Sequence, residues 1–194
     1  AGVCILSDAA VVGGSKVGQY ANQKLQQLQT NVNAELNATN NQLSAERSNL
    51  QAQVAATSQT AQAAAIDAFQ QKVATFQSTL EERSDQLDRT KENTYARILT
   101  LTEPFLQDIY EARNCSLLLD ATGVLFANET MNITPDVITE LDKRATEITV
   151  ELAPTRAQLQ AQQSSQAAPA ATGGAAPAPS SGGAPARGPV GPRL

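Results

Sequence analysis

At 194 residues, with 19 acidic against 14 basic side chains, the chain carries a formal net charge of -5. Histidine is absent. Serine–histidine and cysteine–histidine catalysis are therefore excluded, and a zinc site would lack its commonest ligand. The acidic balance, without a basic cluster, weighs against nucleic-acid binding, which rests on phosphate neutralisation.

Val3-Cys4-Ile5-Leu6 is a short apolar run, long enough for one buried strand. The first residues, AGVCILSD, are small and lack a Met, the form expected once a signal peptidase has cut or the chain has been trimmed. Gly13-Gly14-Ser15-Lys16 lacks the spacing of a phosphate loop, so no nucleotide is expected. It reads as a turn, with Ser15 capping the helix that follows.

From Ser15 to Arg113 the sequence is polar and helix-prone, and no proline precedes Pro104. One apolar stripe runs Leu25, Leu28, Val32, Leu36, Leu43, Leu50, Val54. A second runs Ile66, Phe69, Val73, Phe76, Leu80, Leu87, Ile98, Leu101. Spacings of three, four and seven make the narrow seam of a coiled coil. Ala55 to Ala65 interrupts that seam, so the spacing predicts a helical hairpin folding back near residues 57–60. Thr39, Arg83, Lys91 and Thr94 weaken the seam, which suits arms that bend.

Pro104 predicts a kink, with the helix resuming to Arg113. Ser116 to Asp120 is a second strand and Val124 to Ala127 a third, joined as a hairpin by Ala121-Thr122-Gly123. Thr134, Pro135 and Asp136 read as cap, first position and first turn of a helix. Its apolar side is Val137, Ile138, Leu141, Ile148 and Leu152. From Pro154 the chain turns to Ala, Pro, Gly, Ser and Gln, a composition expected to be disordered. The expected fold class is thus mainly α with a small β body. The body takes residues 1–22 and 113–153, the arm 23–112, and the tail 154–194. Short strands with unpaired edges and a thin core point to an oligomer. No stretch approaches the roughly 20 apolar residues of a membrane span.

These pieces have a familiar order. Ile5-Leu6-Ser7-Asp8 precedes Ser15-Lys16-Val17-Gly18 and the hairpin. Leu117-Leu118-Leu119-Asp120, Val124-Leu125-Phe126-Ala127 and Ile133-Thr134-Pro135-Asp136-Val137-Ile138-Thr139-Glu140-Leu141 follow. The chain resembles the Skp/OmpH family of periplasmic chaperones over about residues 3 to 142. The family's last motif reads Asp-Ile-Thr, two variable residues, Val-Ile, two more, then Leu. Asn132 stands here in place of the aspartate.

The resemblance implies a homotrimer with short strands joined in one hub and three hairpins around a cavity. Unfolded outer-membrane proteins would be held there without ATP, in the periplasm, between export and membrane insertion. Neither enzyme activity nor cofactor is expected. Transient contact with a membrane surface is a further expected partner interaction. Val3, Ile5, Leu117, Leu119 and Leu125 are the expected oligomerisation core. Val32, Leu36, Phe69 and Phe76, on the arm seam and faces, are the candidates for client contact. The best-known members are basic, whereas this chain is acidic, so a lipopolysaccharide site is not carried over. Cys4 and Cys115 would come within bridging range if their strands are neighbours; the alternative is two buried free thiols. The competing reading from another class is a coiled-coil scaffold or tether of the cell envelope.

Overall fold

A computed structural model describes residues 2–54 and 58–167. Strand β1 (Gly2–Leu6) leads through Ser7 into a short helix, α1 (Asp8–Gly14). Two long helices follow, α2 (Lys16–Val54) and α3 (Gln59–Thr100), then α4 (Glu103–Ala112) and strand β2 (Cys115–Asp120). Helices α5 (Thr134–Arg144) and α6 (Arg156–Ala167) complete the described chain.

Helix α1 lies where the glycines suggested only a turn. The Ser7 hydroxyl caps it, accepting the Ala10 N–H at 3.2 Å, with Asp8 in the first turn. Ser15 closes α1 and opens α2. Its N–H donates to the Val11 carbonyl and its hydroxyl accepts the Gly18 N–H at 3.2 Å, so the expected cap is present. The Lys16 N–H donates to Asp142 at 2.7 Å, tying the root of the arm to α5.

The long helices form a hairpin of about 60 Å at 1.5 Å per residue. Tyr95 donates to Asn22 at 2.8 Å, Arg83 pairs with Glu35 at 2.8 Å, and Lys72 pairs with Glu46 at 2.5 Å. As one number rises its partner falls by a matching step, the register of antiparallel helices. The expected fold-back near 57–60 lies partly outside the described residues; Gln59 and Thr60 already belong to the first turn of α3.

The α2 seam follows the predicted stripe, with Val32 buried and Leu25, Leu28, Leu36, Thr39, Leu43 and Leu50 half-buried; the burial expected at Val54 lies outside what is described. The α3 seam differs. Phe69, Val73 and Phe76 face α2, but the stripe then passes through Thr79, Arg83, Gln86, Thr90 and Thr94. Ile66, Leu80 and Leu101, expected in it, are exposed. Steps of three and four from Phe76 reach Thr79 and Arg83 and leave Leu80 on the neighbouring row.

The kink expected at Pro104 is a full break at Leu101–Thr102, where the Thr102 N–H and hydroxyl both donate to the Leu99 carbonyl. Pro104 then sits in the first turn of α4, where its missing N–H costs nothing. Asn114, at φ 52°, ends α4 in the left-handed conformation that Asn tolerates better than most residues.

The sheet has two strands, β1 and β2, running parallel with Val3 opposite Leu117 and Ile5 opposite Leu119. The expected third strand is absent: Val124 to Ala127 makes no ladder with β2, and Asp120 instead accepts the Thr122 N–H in a tight 3-10 turn. The Ile133 N–H donates to Ile5, so the segment before α5 partly covers the outer edge of β1.

Helix α5 ends at Arg144, short of the expected Leu152. The run Thr146-Glu147-Ile148-Thr149-Val150 is rich in β-branched side chains, which favour extended backbone. Residues 145–155 form an extended strap along α3. The Thr134 hydroxyl does not cap α5 but accepts the Ser7 N–H at 3.0 Å, and Asn132 accepts the Thr134 N–H. The tail expected from residue 154 holds α6, consistent with its Ala, Gln and Arg. Residues 168–194 lie outside the described residues. The core gathers Leu6, Val11, Val12, Val17, Ala21, Ile98, Phe105, Ile133, Val137 and Leu141, where the two ends of the arm meet α5.

Candidate functional site

In β1, Cys4 and Leu6 turn toward the core, so period-two alternation sends Val3 and Ile5 to the opposite face. Their register partners Leu117 and Leu119 lie with them and are exposed. Four of the five residues expected as an oligomerisation core thus share one sheet face, on which Leu117 and Leu119 are exposed, Val3 is half-buried and Ile5 is buried. The fifth, Leu125, is 92% exposed and its neighbour Phe126 is 96% exposed. Phe126 was not singled out in the sequence, although its place in the same apolar run could have marked it. Beside Ile5, Val124 and Ala127 line a groove of about 220 Å³.

Ser116 is an extra residue in β2: Gly2 pairs with Cys115 while Val3 pairs with Leu117. This bulge leaves both Cys115 and Leu118 on the core side. Cys4 and Cys115 are joined in a disulfide, with Cα atoms 5.6 Å apart.

On the arms, the four expected client-contact residues lie in the helix–helix seam. Val32 is 4% exposed, and Leu36, Phe69 and Phe76 are half-buried. Phe76 and Leu43 also border an open groove of about 710 Å³ between the arms, shared with Thr39, Glu46, Lys72 and Thr75. Ile66 and Leu80, about 40% exposed, are the large apolar side chains most open to solvent in this distal half.

The strap was not legible as such. Arg97 donates to the Thr149 carbonyl at 3.0 Å, Thr90 accepts the Ala153 N–H at 2.8 Å, and Gln86 donates to the Ala153 carbonyl at 2.7 Å. The Arg156 N–H reaches Glu82 and its guanidinium reaches Asp85, both at 2.9 Å. The hydrogen bond from Arg156, reinforced by the charges of Arg156 and Arg89, holds the Asp85 carboxyl below its usual 3.8. At the hub, burial and then the nearby Asp120 push Asp8 up, while hydrogen bonds from Thr122 hold Asp120 down. Among the described residues no group of acidic, Cys or His side chains could hold a metal ion.

A long helical hairpin, rooted at both ends in a small stapled sheet that keeps apolar side chains uncovered, defines a hub-and-arm protein. A family model described as outer membrane protein (OmpH-like) matches residues 3–141, and the chain belongs to that family. Among solved structures, an OmpH-like outer membrane chaperone from Caulobacter crescentus CB15 superposes with a TM-score of 0.74 at 30% identity. The match covers 81% of this chain and 93% of that one. Comparison with curated proteins gives no match. Membership supports a chaperone role in general terms.

Proposed function

We propose that the chain is an ATP-independent periplasmic holdase, trimeric through its sheets, that keeps unfolded outer-membrane proteins soluble between its arms. The observation that carries this reading is the set of apolar side chains left exposed at the hub: Leu117 and Leu119 beside half-buried Val3 on one sheet face, and Leu125 and Phe126 in the segment that follows. A two-stranded sheet has edges that invite another chain, and apolar side chains this exposed call for a cover. Joining several hubs would bring their arms around a common space. A cage of this kind needs no tight pocket, because high effective concentration lets many weak contacts add up. Residues 1–22 and 113–153 then serve as the hub and 23–112 as the arm, with Ile66, Phe76 and Leu80 the apolar side chains a client meets in the distal half.

The test is an aggregation assay with a urea-unfolded β-barrel membrane protein diluted into buffer. Equimolar trimer without nucleotide should suppress the rise in turbidity. Unchanged turbidity across the titration, or a chain that sediments as a monomer, refutes the reading.

A further inference from the structure

We infer that the face of α3 marked by Glu82, Gln86, Thr90 and Arg97 is a binding site for an extended client polypeptide. The chain's own strap, residues 145–155, is its resident occupant and is displaced by the client. This rests on the chaperone reading above and specifies how a client would be gripped.

The contacts are those of peptide recognition. Ala153 has no backbone partner among the described residues, yet its N–H donates to the Thr90 hydroxyl and its carbonyl accepts from the Gln86 side-chain amide, both bonds buried. Thr90 suits this role because its hydroxyl proton goes to the Gln86 carbonyl at 2.6 Å, leaving a lone pair for a visiting N–H. One turn of helix separates Gln86 from Thr90, so a hydroxyl and an amide together reproduce the donor and acceptor that a neighbouring strand offers. Arg97 also takes a backbone carbonyl, that of Thr149. These three side chains grip main-chain atoms, which every sequence has. The Ala153 methyl is buried, so the site asks for a small residue at that position.

The strap fits this seat incompletely. A groove of about 470 Å³ remains between it and α3, bordered by Thr94, Arg97, Leu152 and Pro154. The Arg156 side chain, its outer anchor, is 66% exposed. Ala145, Ile148 and Val150 pack against the core at one end of the strap, while the Arg97 and Arg156 anchors face solvent, so local opening is easiest from the Arg156 end. The strap also lies beyond the residues matched by the family model, which end at 141. A resident occupant lowers the apparent affinity for a client in proportion to the time it covers the site.

The experiment uses full-length protein and two probes: a fluorescein-labelled peptide with the sequence of residues 146–157, and an unfolded β-barrel membrane protein. Loosening the strap from its own side with Ala153→Pro, which removes the N–H given to Thr90, and Arg156→Ala leaves every α3 side chain intact and should tighten both probes about five- to tenfold. Adding Gln86→Leu and Thr90→Val should remove that gain. Competition by unlabelled peptide against the client on the wild-type protein gives the same information if the fourfold variant melts early. Equal affinities in wild type and the loosened variant, or absence of peptide binding, overturn the inference even where wild type suppresses aggregation. If wild type fails to suppress aggregation, the chaperone reading falls, and the peptide arm alone still decides whether α3 carries a peptide site.

Discussion

Single residues at the root of the arm show how tightly the hub is specified. A Cβ added at Gly18 would fall inside the shell of the Val12 carbonyl and 3.0 Å from the Ser15 hydroxyl. Backbone cannot yield there as a flexible side chain would. Gly18→Ala should therefore cost about 3 kcal/mol or more, read as a lower midpoint in thermal or urea unfolding. Gly13, with open space around it, should accept Ala without loss. Asp85 gives a prediction in pH. Its carboxyl titrates below 3.8 because Arg156 donates to it, so its contribution is complete above the unfolded value and is lost as pH falls through the lower folded value. Strap protection in hydrogen exchange should accordingly stay flat from pH 5 to 8 after correction for intrinsic rates, apart from other titrating groups. It should weaken only in strong acid. A transition near pH 6 would contradict this assignment.

At the scale of elements, the disulfide stands out. It joins residues 111 positions apart and thereby closes the whole arm into a covalent loop. On the chain-entropy account a loop of that size is worth about 5 kcal/mol, a large share of what a thin hub can muster. Reduction, or Cys4→Ser with Cys115→Ser, should lower the melting midpoint of the hub sharply while helix content in the arm persists longer; coincident loss of both signals would place the staple's role elsewhere. The same elements show what was legible in the sequence. The long hairpin, both strands and the Ser15 cap could be read because apolar spacing and capping chemistry are local signals. Helix α1 was masked by Gly13-Gly14, which looked like a turn until Ser7 was seen to cap it. Val124 to Ala127 has the composition of a strand, but after the 3-10 turn at Ala121–Gly123 it does not return along β2, a choice of path that composition does not record. The strap was mistaken for helix because Ile148 and Leu152 keep helical spacing, while its hydrogen bonds go to side chains of α3 far away in sequence. Those partners, Gln86 and Thr90, lie off the predicted apolar stripe and carry no local signal of a strap.

For the whole molecule, the exposed apolar side chains let folding be tested separately from the proposed assembly. Leu125 and Phe126 bury almost nothing within one chain, so Leu125→Glu with Phe126→Glu should leave the monomer's circular dichroism and melting intact. On the proposed reading of a trimeric holdase, the same change should shift sedimentation from trimer to monomer and abolish aggregation suppression. A variant that stays trimeric would remove these residues from the interface. The acidic charge gives the assembly no general attraction for other acidic surfaces, so client capture on this reading rests on apolar and main-chain contacts.

The parallel pairing of β1 with β2 has a further consequence. Strands pointing the same way oblige the polypeptide to come back past the sheet before it can re-enter, and α4, cut loose from α3 at Leu101–Thr102, makes that return journey. Closure of the base is thus settled by ten residues of helix and one covalent staple, independently of how far the rods extend. Matched heptads can be added to or taken from α2 and α3 together without disturbing the foundation, so reach is an adjustable dimension in a machine whose anchorage stays constant.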